Sequence, residues 1–121
     1  TWDQASDLRF KNVIGPSKLG LSFIQRINPF EYTKKPTREW PKEWGVNPES
    51  SVDTETPILG MAAQEVLQAL VAEGNNTFHG WCQDPNGMQR IGESAFIYPL
   101  INAVKELAEK CTKLEAKLKH A

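Results

Sequence analysis

Apolar positions near the C-terminus step by four, three, four, three and four: Leu100, Val104, Leu107, Cys111, Leu114 and Leu118. That alternation holds a seam on one side of a supercoiled helix. With Val104, Cys111 and Leu118 at a, the d positions are Leu100, Leu107, Leu114 and Ala121. Lys110 falls at g and Glu115 at the following e, the offset at which opposite charges meet across parallel helices. A single amphipathic helix packed on its own core gives the same stripe, and the pattern leaves both readings open. The helix can start near Pro99, because proline is tolerated in a first turn and clashes deeper in. From there to Ala121 it would run roughly 35 Å at about 1.5 Å per residue. A helix that outreaches so small a domain needs a partner to cover its seam.

The rest of the chain alternates short patterns with breaks. Leu8, Phe10 and Val13 roughly alternate with polar neighbours, which predicts a short strand over Leu8 to Ile14. Gly15-Pro16 interrupts it, and Ser17 can cap a helix whose face is Leu19, Phe23, Ile24 and Ile27. That helix must end near Asn28, since Pro29 cannot continue it; a strand over Phe30 to Thr33 follows. Ile58 to Ala62 reads as a short buried strand entering a helix, with Ala63, Val66, Leu67 and Leu70 on one face and Gln64, Glu65, Gln68 and Glu73 on the other. Gly74-Asn75-Asn76 stops it. Thr77 to Gly92 predicts short strands around Asp84-Pro85-Asn86-Gly87, whose Asn-Gly is a hairpin signal. The fold class is α+β: short strands, two short helices and a long C-terminal helix.

Residues 34–57 depart from this rhythm. Pro36, Pro41, Pro48 and Pro57 punctuate them, charges crowd them, and Trp40 and Trp44 are their large apolar groups. A loop this long is uncommon in a compact domain. It reads as an extended arm that is either partly disordered or wraps against another surface; its two tryptophans favour wrapping, or else cap the domain's own core.

Composition narrows the function classes. The 121 residues carry a net charge of −1, so electrostatics gives no reason to expect nucleic acid or an anionic membrane as partner. No apolar run approaches a membrane span and no basic-plus-apolar leader opens the chain, so nothing predicts export. Cys82 and Cys111 form neither a disulfide framework nor a metal-spaced pair. Cys111, at an a position, reads as a small apolar residue of the seam. His79 and His120 have no second ligand at metal spacing, and the glycines match neither a P-loop nor a dinucleotide turn. The expectation is no metal and no cofactor. Asn75-Asn76-Thr77 fits the glycosylation triplet, a pattern common by chance.

Ser6 and Lys11 offer the remaining chemistry. A lysine kept neutral by burial can take the proton of a serine hydroxyl, a known pairing of nucleophile and base. The lysine must be desolvated, because a solvated amine holds its proton near neutrality. A spacing of five places the two side chains on opposite faces of a strand and well apart around a helix. The pair therefore needs a turn or bulge between its members, or a lysine from another subunit.

Ser6-Asp7-Leu8-Arg9-Phe10-Lys11-Asn12-Val13-Ile14 resembles the opening motif of the endosialidase-type C-terminal intramolecular chaperone domains of phage tailspikes and tail fibres. Leu19 to Tyr32 is similar to that family's helix, Asn-Pro break and tyrosine-bearing strand. Leu59-Gly60-Met61-Ala62-Ala63-Gln64-Glu65-Val66 resembles its Gly-x-x-Ala-Gln-Glu-Val segment, and Tyr98-Pro99-Leu100-Ile101-Asn102-Ala103-Val104-Lys105-Glu106-Leu107 its ending. The resemblance implies a homotrimeric domain that helps three fibre chains register and fold, then is released by self-cleavage at its N-terminal edge. It implies Ser6 as nucleophile and cleavage-site serine, Lys11 as general base, and Asp7 and Arg9 as assisting or structural. The scissile bond would be Ala5-Ser6 or Ser6-Asp7. Residues 1–5 then read as the end of a preceding fibre segment and 6–121 as the chaperone domain, with the arm at 34–57 and the coiled-coil helix at 99–121. The partners implied are two further copies and the preceding fibre or spike domain of the same chain. The product would be a fibre precursor made in the bacterial host cytoplasm, its chaperone absent from the mature virion. Valine at a with leucine at d leans toward dimers in isolated coils; the family implies trimers. A non-catalytic trimerisation or receptor-binding tip retained on the fibre is the alternative.

Overall fold

A computed structural model describes residues 4–120. Its elements are α1 (Leu21–Arg26), β1 (Phe30–Tyr32), β2 (Ile58–Gly60), α2 (Ala63–Ala72), β3 (Trp81–Gln83), β4 (Gln89–Ile91) and α3 (Ile97–Lys119). Single 3-10 turns occupy Leu8–Phe10, Thr37–Glu39 and Lys42–Trp44, and a fourth, Glu93–Phe96, leads into α3. The class is α+β, as expected.

One apolar cluster organises the domain. Leu19, Phe23 and Ile27 from α1 and its flanks meet Val66, Ala69 and Leu70 of α2 and Phe96 before α3. Phe23 is fully buried, with Phe78 edge-on at 5.6 Å and Phe96 stacked at 6.1 Å between ring centroids. Those contacts are the aromatic geometries that add to simple area burial. Two carboxylates, Glu65 in α2 and Glu73 at its C-cap, reinforce the contact with α1 and the residues after it. Glu73 accepts from Ser22 Oγ and Arg26 Nε, each at 2.7 Å, and Glu65 accepts from the Asn28 N–H at 2.7 Å. Beyond Ala72, the Asn75 N–H reaches the Leu70 carbonyl and the Gly74 N–H that of Val71. This pairing is a Schellman stop, and Gly74 at φ 65° takes its left-handed position.

The strands form two separate antiparallel ribbons. β1 pairs with β2, Phe30 opposite Gly60 and Tyr32 opposite Ile58. The Tyr32 ring lies 2.7 Å from where a Cβ on residue 60 would stand, so the close approach requires glycine. Ile58 and Leu59 are exposed, which corrects the expectation of a buried strand: a two-stranded ribbon has no second layer over its outer face. β3 pairs with β4, Trp81 opposite Ile91. Their turn closes with the Gly87 N–H on the Asp84 carbonyl and Gly87 at φ 92°, the three-residue hairpin with a glycine bulge.

The arm is ordered by its own polar groups. Thr37 is buried and its hydroxyl lies 2.7 Å from the Ser50 carbonyl and 3.0 Å from that of Pro48. Trp40 Nε1 donates to the Lys35 carbonyl, and Trp40 meets Trp44 edge-to-face at 6.1 Å. Asn86 Nδ2 ties the arm to the hairpin through the Trp44 carbonyl. The tryptophans are half-buried against each other; among the described residues the tryptophan that packs on the core cluster is Trp81.

Two local expectations fail. Leu8 to Ile14 forms a 3-10 turn and then irregular chain, not a strand, because Asp7 closes the turn and no strand among the described residues pairs with it. Ser17 does not cap α1; its N-cap is Gly20, and the acceptor for the Leu21 N–H is the Glu106 carboxylate of α3 at 2.6 Å. α3 begins two residues before Pro99, which sits in its first turn and lacks only an N–H that has no partner there. Pro99 and Ala103 face the domain and are buried. Leu100, Val104, Leu107, Cys111, Leu114 and Leu118 are exposed on another side, so the heptad stripe is not the stripe that packs on this chain's core. The d position at Ala121 lies outside the described residues.

Candidate active site

The segment ahead of α1 owes its bend to Asp7. Its Oδ1 accepts the Arg9 N–H at 2.9 Å, and Arg9 returns Nε and Nη2 to the same carboxylate at 3.1 and 2.7 Å. Aspartate closing on the backbone two residues ahead is the local competition that defeats an extended strand. The arginine beside it holds the Asp7 carboxyl below the usual aspartate range, and the backbone N–H adds to the effect. The turn is completed by Phe10 N–H on the Asp7 carbonyl at 3.3 Å and Lys11 N–H on that of Leu8 at 3.1 Å.

This turn removes the geometric objection to the spacing of five. With Leu8–Phe10 coiled, the side chains of Ser6 and Lys11 return to one side, and Lys11 Nζ donates to Ser6 Oγ at 2.6 Å. The Lys11 ammonium also stands 5.8 Å from the centre of the Phe10 ring, within reach of its quadrupole. Asp7 and Arg9 thus build the turn, while Ser6 and Lys11 occupy its open side. The four side chains and Ala5 are exposed in the single chain. The heavy-atom distance suits proton transfer in either direction; acceptance by the lysine requires a cover that excludes water. Residues 1–3 lie outside the described residues.

Other candidates assemble nothing comparable. Among the described residues no group of three His, Cys, Asp or Glu side chains could hold a metal. Cys82 and Cys111 are free and exposed, and His79 packs against Phe78 at 5.9 Å. Asn75 turns its Oδ1 inward to the Thr77 and Phe78 N–H groups, which gives its triplet a structural use. A groove of about 330 Å3 between α1 and α3, lined by Leu21, Ser22, Gln25, Glu106, Glu109 and Lys110, contains neither Ser6 nor Lys11. No described helix is long and apolar enough to cross a membrane.

A family model described as chaperone of endosialidase matches residues 6–75, over half of the chain. The chain belongs to the chaperone of endosialidase family. The match opens on Ser6, takes in the Asp7–Arg9 turn, α1, both strands of the first ribbon and the arm, and closes just past α2. The second ribbon and α3 lie beyond it. The family's name is that of a peptidase-type domain. No curated protein matches the chain.

Sequence reasoning named Ser6, Lys11, Asp7 and Arg9 through their motif, and the structure gathers the four at one turn. It missed Asn102 and Glu106, which reach from α3 to the backbone between Ser17 and Leu21. Their signal is present in the sequence: two polar residues four apart on the side of α3 away from the seam.

Proposed function

We propose that this chaperone of endosialidase domain trimerises through α3, assists folding of the phage tail fibre or tailspike chain that precedes it, and is released by self-cleavage at Ser6. The observation that carries the proposal is the 2.6 Å contact of Lys11 Nζ with Ser6 Oγ at the edge of the family match. In the reaction, a desolvated neutral Lys11 amine takes the Oγ proton as Oγ attacks the Ala5 carbonyl. The Ala5-Ser6 C–N bond breaks and the ammonium returns a proton to the departing Ser6 amine, leaving Ala5 esterified to Oγ. Water hydrolyses the ester to an Ala5 carboxylate and restores the Ser6 hydroxyl. Attack on the preceding carbonyl closes the low-strain ring of an N-to-O acyl shift; attack on serine's own carbonyl closes a tighter one. This favours Ala5-Ser6 over Ser6-Asp7.

Assembly supplies what the single chain lacks. The exposed seam needs partners, and the exposed turn needs a dry cover before Lys11 can act as a base. A homotrimer provides both, which makes the cut conditional on correct folding. The released domain would then be absent from the mature virion, having acted in the host cytoplasm.

The chain joined to its natural fibre segment tests the proposal in a gel time course. Wild type resolves into fibre and domain, while Ser6→Ala remains full length. Wild type that stays full length alongside Ser6→Ala overturns the proteolytic half and leaves a retained trimerisation tip.

A further inference from the structure

Between the serine-lysine turn and α1 the chain is exposed and irregular from Asn12 to Lys18, and it is fastened at its far end. Asn102 Nδ2 donates to the Leu19 carbonyl at 2.8 Å and, more weakly, to the Ser17 carbonyl at 3.3 Å. One turn further along α3, Glu106 Oε2 accepts the Leu21 N–H at 2.6 Å. That N–H is one of the unpaired donors at a helix start, and Gly20 brings no side chain to satisfy it. Gly20 also makes room for the carboxylate: a Cβ there would stand 2.8 Å from Glu106 Oε1. The two tying side chains project from α3 on a different side from the seam.

We propose that Asn102 and Glu106 are positioning residues for the cut. They fasten the tether of each Ser6–Lys11 turn to the helix that carries the assembly seam. The inference rests on the self-cleavage reading above and adds to it the route from assembly to site. From Ser17 back to Lys11 an extended chain spans at most about 20 Å. The register of the three helices therefore limits the volume into which each turn is delivered. Without the ties the same trimer forms, but the turns search a larger space for their cover.

The test uses the fibre-joined chain, with cleavage followed by intact mass in the fraction that elutes as trimer. Glu106→Ala and Asn102→Ala are expected to assemble like wild type and to cut about tenfold more slowly, the effect of losing one charge-assisted or shared backbone hydrogen bond. Glu106→Gln keeps an oxygen for the Leu21 N–H and recovers most of the rate. Gly20→Ala leaves α3 untouched but displaces the carboxylate, so it slows cutting as Glu106→Ala does, and the double variant is no slower than either alone. A trimeric Glu106→Ala that cuts at the wild-type rate overturns the inference. Should Glu106→Ala fail to assemble, Gly20→Ala decides: slow cutting in the trimer supports the tie, and a wild-type rate removes it. A wild type indistinguishable from Ser6→Ala overturns the cleavage reading itself, and the tie's role with it.

Discussion

The core around Phe23 and the outer surface of α3 contain similar residues used in opposite ways. At the core, Leu19, Phe23, Val66, Leu70 and Phe96 are buried by this chain alone. Along α3, Leu107 is 47% exposed and Leu118 76%, although their spacing is the most regular apolar pattern in the sequence. The N-terminal segment resembles α3 in this respect, with Leu8, Phe10, Val13 and Ile14 all exposed. The single chain thus completes a small core and leaves apolar groups uncovered on the helix proposed to assemble, on the segment proposed to cut and on the β1–β2 ribbon, where Phe30, Ile58 and Leu59 are exposed. Burying one leucine contributes roughly 1.5–3 kcal/mol, so the second set can drive association without being needed for the first.

Substitution should separate the two regions. The largest effect is expected from Phe23→Ala, which empties a fully buried site touching two other rings and costs about 3–5 kcal/mol; denaturant unfolding of the isolated domain measures it. Leu107→Asp acts in the reverse sense. The domain keeps its helical circular dichroism but becomes monomeric by light scattering, and cleavage stops; efficient cutting by that monomer would sink the coupling of assembly to chemistry. Lys11→Ala is expected to leave the trimer intact while abolishing the cut, and a variant that loses the trimer would make Lys11 structural.

The smallest effect concerns acid. Glu73 is held below its ordinary value of 4.5 by its hydrogen bonds from Ser22 and Arg26. A depressed carboxylate stabilises the fold above its unfolded pKa, and that contribution is lost as pH falls through the folded value. Stability should therefore decline below about pH 4.5, and Glu73→Gln should flatten that part of the profile by no more than about 1 kcal/mol, since Arg26 is partly solvated. An unchanged acid slope in Glu73→Gln would place the sensitivity elsewhere.

Much of the packed region was legible because its signals are local. The spacing of Phe23 and Ile27, Pro29 as a stop, Gly74 as a C-cap and Asp84 to Gly87 as a turn each act within a few residues. The misreadings arose where a distant or competing group decides. Ser17 is a reasonable cap by residue type, yet the acceptor that serves α1 comes from Glu106, far along the chain. Leu8 and Phe10 alternate as a strand would, yet Asp7 offers the backbone a closer partner and no strand among the described residues pairs with them. Of the two places considered for Trp40 and Trp44, the core is not the one they take: they close on each other within a hydrogen-bonded arm and stay half-exposed. The site was legible as a motif and in part as geometry, since the need for a turn between Ser6 and Lys11 follows from their spacing. The spacing of Ser6 and Lys11 forbade contact on any regular element, and only the turn between them resolves that.

The most direct measurement of the central claim is the intact mass of wild-type chain, joined to its fibre segment, after separation into trimeric and monomeric pools. The trimeric pool should contain a released domain whose mass begins at Ser6, and the monomeric pool only full-length chain. Full-length chain persisting in the trimer, or cut chain arising in the monomer, would contradict it.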